Sequence, residues 1–116
     1  GFPILKVQAF ADNFFAVVVL APLIEELIFR YFLLNFLWAV RLAPIIIIGV
    51  TSSLFSLFHY SAYGASFAAQ NASFVGAFLF GLVAVIIALR TRSIVYPIVI
   101  HATLNLWLLI KYSFSI

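Results

Sequence analysis

Five side chains carry nearly all the acid–base chemistry available to this sequence: the acids Asp12, Glu25 and Glu26, and the histidines His59 and His101. Glu25 and Glu26 are neighbours, and Arg30 follows Glu26 at a spacing of four. FSLFH ends in His59, and HATLN runs from His101 to Asn105. A carboxylate with two imidazoles could take a proton from water, relay protons, or hold Zn²⁺ with one position left for water. Helical residues four apart share a face, so Glu26 and Arg30 pair, and His101 and Asn105 lie on one stripe. Phe55 stands one turn before His59, where its ring packs beneath the imidazole. Glu25 is turned about 100° from Glu26 and keeps its carboxylate for another helix. Glu25, His59, His101 and Asn105 are therefore expected to converge from three helices on one buried polar pocket. Asp12 lies near a helix end. Other hydrolytic arrangements are missing: there is no Cys, no HExxH, and no serine with a base at motif spacing.

The elements that must position these groups are apolar. The 116 residues are 67% hydrophobic and 8% charged, against roughly 25% charged in soluble domains. A chain this short could not hide so much apolar surface from water. Its hydrophobic stretches approach the roughly 20 residues that cross a bilayer as a helix, and they do not alternate as barrel strands do. The expected fold is all-α, a polytopic membrane bundle of about four helices. The first runs from Phe10 to Val40, kinked or broken near Pro22, with Asp12 or Asn13 capping its start. The second runs from Pro44 to His59 with Pro44 in its first turn. Residues 60–72 read as a loop. A third helix, Ser73–Leu89, begins with Ser73 as cap and carries Gly76 and Gly81 for close helix contact. RTRS (90–93) is a tight turn, and a fourth helix spans Ile94–Lys111 with Pro97 in its first turn. Trp38, Tyr60, Tyr63 and Trp107 read as interface-belt aromatics. An ionisable group at mid-bilayer costs roughly 2.5–3.5 kcal/mol, so Glu25, Glu26 and Arg30 must be paired or line a wet cavity. The net charge of +3 is small and scattered, which does not suggest nucleic acid. Residues 1–116 read as one domain, a fragment of a longer polytopic protein.

EELIFR, FSLFH and HATLN match the patterns EExxxR, FxxxH and HxxxN. In that order, in a chain so poor in polar residues, they resemble the type II CAAX prenyl endopeptidases and their prokaryotic relatives, the CPBP or Abi family of intramembrane proteases, over about residues 10–110. The resemblance implies that Glu25 activates water, that His59 positions or deprotonates it, and that His101 and Asn105 stabilise the oxyanion. Glu26, Arg30 and Phe55 take supporting positions. Peptide hydrolysis needs such a base, an oxyanion donor and an acid for the leaving amine. A poorly solvated carboxylate is a stronger base than one in water. Glu25, His59 and His101 could also bind Zn²⁺, the pattern on which family members are often labelled metalloproteases. Asn105, a poor zinc ligand and a good oxyanion donor, favours a metal-free glutamate mechanism, so no cofactor is expected.

The expected partners are membrane lipid and a membrane-associated peptide or protein substrate. The resemblance implies prenylated CAAX tails in the endoplasmic reticulum of a eukaryote, or bacteriocins and signalling precursors at a prokaryotic plasma membrane. Two other readings keep the fold without the reaction: an immunity or partner-binding membrane protein, and a channel subunit that relays protons.

Overall fold

The computed structural model describes residues 3–63 and 70–114. The fold is all-α. A first rod is built from α1 (Pro3–Phe14), a π-helical turn π1 (Phe15–Leu20), α2 (Ala21–Glu26), a second π-helical stretch π2 (Leu27–Leu33) and α3 (Leu34–Ala39). Three further helices follow: α4 (Pro44–Tyr63), α5 (Gln70–Thr91) and α6 (Val95–Phe114).

Proline at position 22 lacks the N–H that would continue the helix ladder. The chain responds without leaving helical backbone, through Leu20 (φ −72°, ψ −50°) and Ala21 (φ −62°, ψ −49°). What changes there is the hydrogen-bond register, from i→i+5 in π1 to i→i+4 in α2. The rod also begins earlier than Phe10, so Asp12 and Asn13 sit inside α1 and cap nothing. Gln8 Nε2 donates to Asp12 Oδ1 at 2.8 Å, and Asn13 Nδ2 donates to the Ala9 carbonyl at 2.7 Å. Both are i,i+4 contacts that exist only because the helix extends back past Phe10.

The rod ends in a Schellman turn. Leu42 N–H donates to the Leu37 carbonyl at 3.4 Å and Arg41 N–H to that of Trp38 at 3.0 Å, with Arg41 in the left-handed region at φ 63°. Pro44 opens α4 and Pro97 lies in the first turn of α6, where a missing N–H is harmless. Ser93 Oγ accepts from Val95 N–H at 3.1 Å and caps α6. Helix persists further into the 60–72 stretch than a loop would allow, to Tyr63, and resumes at Gln70, which puts Ser73 inside α5 and not at its cap. Residues 64–69, and the side chains of Tyr60, Tyr63 and Ser73, lie outside what the structure describes.

α4 and α5 pack along each other, while α6 lies against α1, π1 and α2. Gly81 makes the α4–α5 approach possible: a Cβ there would stand 3.2 Å from Ser52 Cα. Gly76 does no such work, since a Cβ there would meet nothing within 4 Å. Leu34, Leu37, Ile47, Val85 and Ala88 form an apolar core joining α3, α4 and α5. Large apolar side chains also face outward, with Phe15, Phe32, Phe36 and Ile45 between 63% and 75% exposed. Trp38 and Trp107 are more than half exposed. Among the described residues, no helix is long and apolar enough to cross a membrane.

Candidate functional site

Glu25 and Glu26 occupy the last turn of α2, immediately before π2, which carries Arg30. The two carboxylates diverge around the helix, as their adjacency requires. Glu26, fully buried, accepts through Oε2 from Arg30 Nη1 at 3.2 Å. The same oxygen lies 2.7 Å from His101 Nδ1 on α6. Glu25 reaches in the other direction: Oε1 lies 2.8 Å from His59 Nε2 on α4, and Oε2 lies 3.5 Å from His101 Nε2. Glu25, Arg30 and His101 are buried as well, and His59 is partly exposed. Three elements thus deliver two carboxylates, two imidazoles and a guanidinium to one place.

Donor accounting restricts the protonation of this cluster. His59 Nδ1 lies 2.9 Å from the Phe55 carbonyl. A carbonyl only accepts, so Nδ1 carries a proton. The 2.8 Å contact between His59 Nε2 and Glu25 then needs a second proton, held by one partner or the other. Glu26 faces the permanently charged Arg30 and is ionised, so His101 Nδ1 donates to it. The proton between Glu25 and His59 is therefore the exchangeable one.

The floor of the site is aromatic. The Phe55 ring lies 4.2 Å from the His59 ring and 4.3 Å from the Arg30 guanidinium carbon, a cation–π geometry. Phe80 on α5 packs 4.9 Å from the His101 ring. The Gly81 carbonyl accepts from Arg30 Nη2 at 3.3 Å. Glu25 Oε2, Glu26 Oε1, Arg30 Nε and Ser52 Oγ are buried without a hydrogen-bond partner. A groove of about 630 Å³ opens beside Arg30, between Trp38 and Arg92, and includes neither Glu25 nor either histidine.

Six of the seven residues singled out in the sequence come together: Glu25, Glu26, Arg30, Phe55, His59 and His101. The seventh, Asn105, is placed differently. Its Nδ2 donates to the Val17 carbonyl of π1 at 2.9 Å, one turn along α6 from His101. Sequence reading missed Phe80 and Gly81, which carry no polar side chain to mark them, and the double engagement of Glu26.

Glu25, His59 and His101 fit a Zn²⁺ ion. Their ligating atoms lie within 4.8 Å of one another. Each histidine has its Nδ1 engaged, by the Phe55 carbonyl or by Glu26, which leaves Nε2 turned toward Glu25. A metal there would take the place of the proton shared by Glu25 and His59.

No curated protein and no solved structure matches the chain significantly. A family model, type II CAAX prenyl endopeptidase Rce1-like, matches residues 8–107, nearly the whole sequence and all three polar motifs. With its motifs assembled around one buried carboxylate–histidine cluster, the chain belongs to the type II CAAX prenyl endopeptidase Rce1-like family.

Proposed function

We propose that this chain is the catalytic core of an intramembrane endopeptidase. It hydrolyses a peptide bond near the end of a membrane-associated peptide or protein, of the CAAX type or a bacteriocin or signal-peptide precursor. The observation that carries the reading is the 2.8 Å contact of buried Glu25 with His59, with His101 across from it. The outward-facing Phe, Ile and Leu side chains support a lipid setting, since lipid-facing apolar surface carries no penalty there.

In the reaction, Glu25 accepts a proton from water as the water oxygen attacks the scissile carbonyl carbon, and His59 holds that water by Nε2. The carbonyl oxygen becomes an oxyanion. When His101 is protonated at both nitrogens it donates Nδ1–H to Glu26 and Nε2–H to the oxyanion. The N–H of Asn105 not committed to Val17 is the companion donor. As the C–N bond breaks, Glu25 returns the proton to the leaving amine. Glu26 and Arg30 hold the imidazole and do not exchange protons with substrate. Zn²⁺ held by Glu25, His59 and His101 would supply Lewis-acid polarisation of water and carbonyl; Asn105 beside the set favours the metal-free route.

The test is cleavage of a membrane-anchored precursor peptide by the full-length protein in vesicles, read by mass spectrometry. Glu25→Gln and His59→Ala are each expected to lower the rate by about 10²–10⁴. Undiminished turnover in both variants sinks the enzyme reading. A host-protection phenotype that survives Glu25→Gln would mark a partner-binding protein instead.

A further inference from the structure

We infer that Asn105 is a positioning residue whose amide replaces the backbone donor that Pro22 lacks, and so registers α6 against the helix that carries Glu25. In π1 the ladder runs i→i+5: the Ala21 N–H donates to the Ala16 carbonyl. The next rung in that register is position 22 to Val17. Pro22 has no N–H, so the Val17 carbonyl loses its partner. The donor found there is Asn105 Nδ2, from the far end of the chain, at 2.9 Å. Pro22 is fully buried and Val17 half-buried, in a face packed by α6. Water is not the ready substitute there that it is at a surface, and an unpaired carbonyl is costly.

The consequence reaches the site. α6 touches the first rod by polar contacts at two points, His101 to Glu26 and Asn105 to Val17. One contact alone leaves α6 free to rotate or slide about it. Two contacts one turn apart fix both its rotation and its register, and therefore the direction in which His101 Nε2 faces Glu25. A proline on one helix and an asparagine on another form a matched pair: the first creates the vacancy that the second fills. Asn105 also stands as an oxyanion donor in the function proposed above. The inference rests on that function only for its kinetic readout, since its thermal readout needs no activity.

The experiment is a double-mutant cycle on the full-length protein in detergent, with Asn105→Ala, Pro22→Ala and both together. Alanine at 22 restores the N–H that can serve Val17. Asn105→Ala alone is expected to lower Tm by roughly 5–10 °C, the effect of one orphaned carbonyl. In the Pro22→Ala background the same substitution is expected to lower Tm by less than half as much. kcat is expected to recover in the double variant relative to Asn105→Ala, at unchanged KM, because α6 is again in register. Additive losses in both Tm and kcat overturn the inference. If Tm is rescued and kcat is not, registration by this bond does not serve the site, which overturns the positioning role, while loss of the oxyanion donor explains the rate. Should Asn105→Ala not accumulate as folded protein, recovery of the double variant is the expected rescue. Failure of the double variant where Pro22→Ala folds overturns the inference.

Discussion

Glu25 and Glu26 are adjacent, chemically identical and both buried, yet the structure assigns them opposite sensitivities. Replacing either with glutamine preserves shape and removes a charge. At Glu26 that strands the Arg30 guanidinium, whose 3.2 Å ion pair is its only short contact to an anion among the described residues. Breaking a buried pair from one side costs about 3–5 kcal/mol. Two contacts of Arg30 survive, the Phe55 face at 4.3 Å and the Gly81 carbonyl at 3.3 Å. They place the expected loss at the low end, about 3 kcal/mol, or roughly 10 °C in Tm for a domain of this size. At Glu25 the amide can donate to His59 Nε2, whose ring already carries a proton on Nδ1, so the contact is kept without the shared proton. Tm is then expected to change little while turnover collapses. The assay is thermal unfolding in detergent by fluorescence of Trp38 and Trp107, alongside precursor cleavage. Equal Tm losses in the two variants, or none in Glu26→Gln, would refute the reasoning. A double variant, Glu26→Gln with Arg30→Met, should be more stable than Glu26→Gln alone, because it no longer buries an uncompensated cation.

Three further outcomes are expected. Arg41→Gly should raise stability by about 1 kcal/mol, read as a higher Tm, because Arg41 occupies the left-handed position of a Schellman turn at φ 63°. Gly81→Ala should cost about 1–3 kcal/mol, since the new Cβ meets Ser52 Cα at 3.2 Å, whereas Gly76→Ala should stabilise by about 0.5–1 kcal/mol; paired unfolding curves decide it. Exhaustive chelation should leave the cleavage rate intact; a rate lost to chelator and restored by Zn²⁺ would move water activation from Glu25 to a metal.

The legible features in the sequence were those set by helix geometry within one element. Glu26 and Arg30, Phe55 and His59 each sit four apart, and each pair meets as that spacing requires. The release of Glu25 toward other helices follows from the same 3.6-residue period. Proline positions located two helix starts, at Pro44 and near Pro97. What spacing cannot show is which helices become neighbours. His101 meeting Glu26, Arg30 donating to Gly81 and Phe80 lying against His101 are all interhelical. Gly76 and Gly81 look alike in sequence, and only the α4–α5 approach separates them. Pro22 pointed correctly to a disturbance but not to its form. A kink and a π-register both answer a missing N–H, and the choice depends on whether another helix supplies a donor for the orphaned carbonyl. Asn105 supplies it from α6, beyond any local pattern.

The two adjacent glutamates acquire distinct characters through one imidazole. His101 faces Glu26 through Nδ1 at 2.7 Å and Glu25 through Nε2 at 3.5 Å, so its ring bridges both carboxylates. It cannot turn over without giving up the shorter contact, and that contact is anchored to Arg30, which is sandwiched against Phe55. Glu26 is thereby tied to a permanent cation and held static. Glu25 faces no permanent cation at hydrogen-bond distance: its short partner is His59, on the more exposed side of the cluster. A carboxylate balanced only by a titratable ring can gain and lose a proton at little electrostatic cost, because the pair stays near neutral in either state. A carboxylate balanced by guanidinium cannot do so without stranding the guanidinium. Of two side chains with the same intrinsic chemistry, then, Glu25 is left able to act as a base and Glu26 is made into scaffold. Arg30, one turn along from Glu26 and not from Glu25, decides which is which.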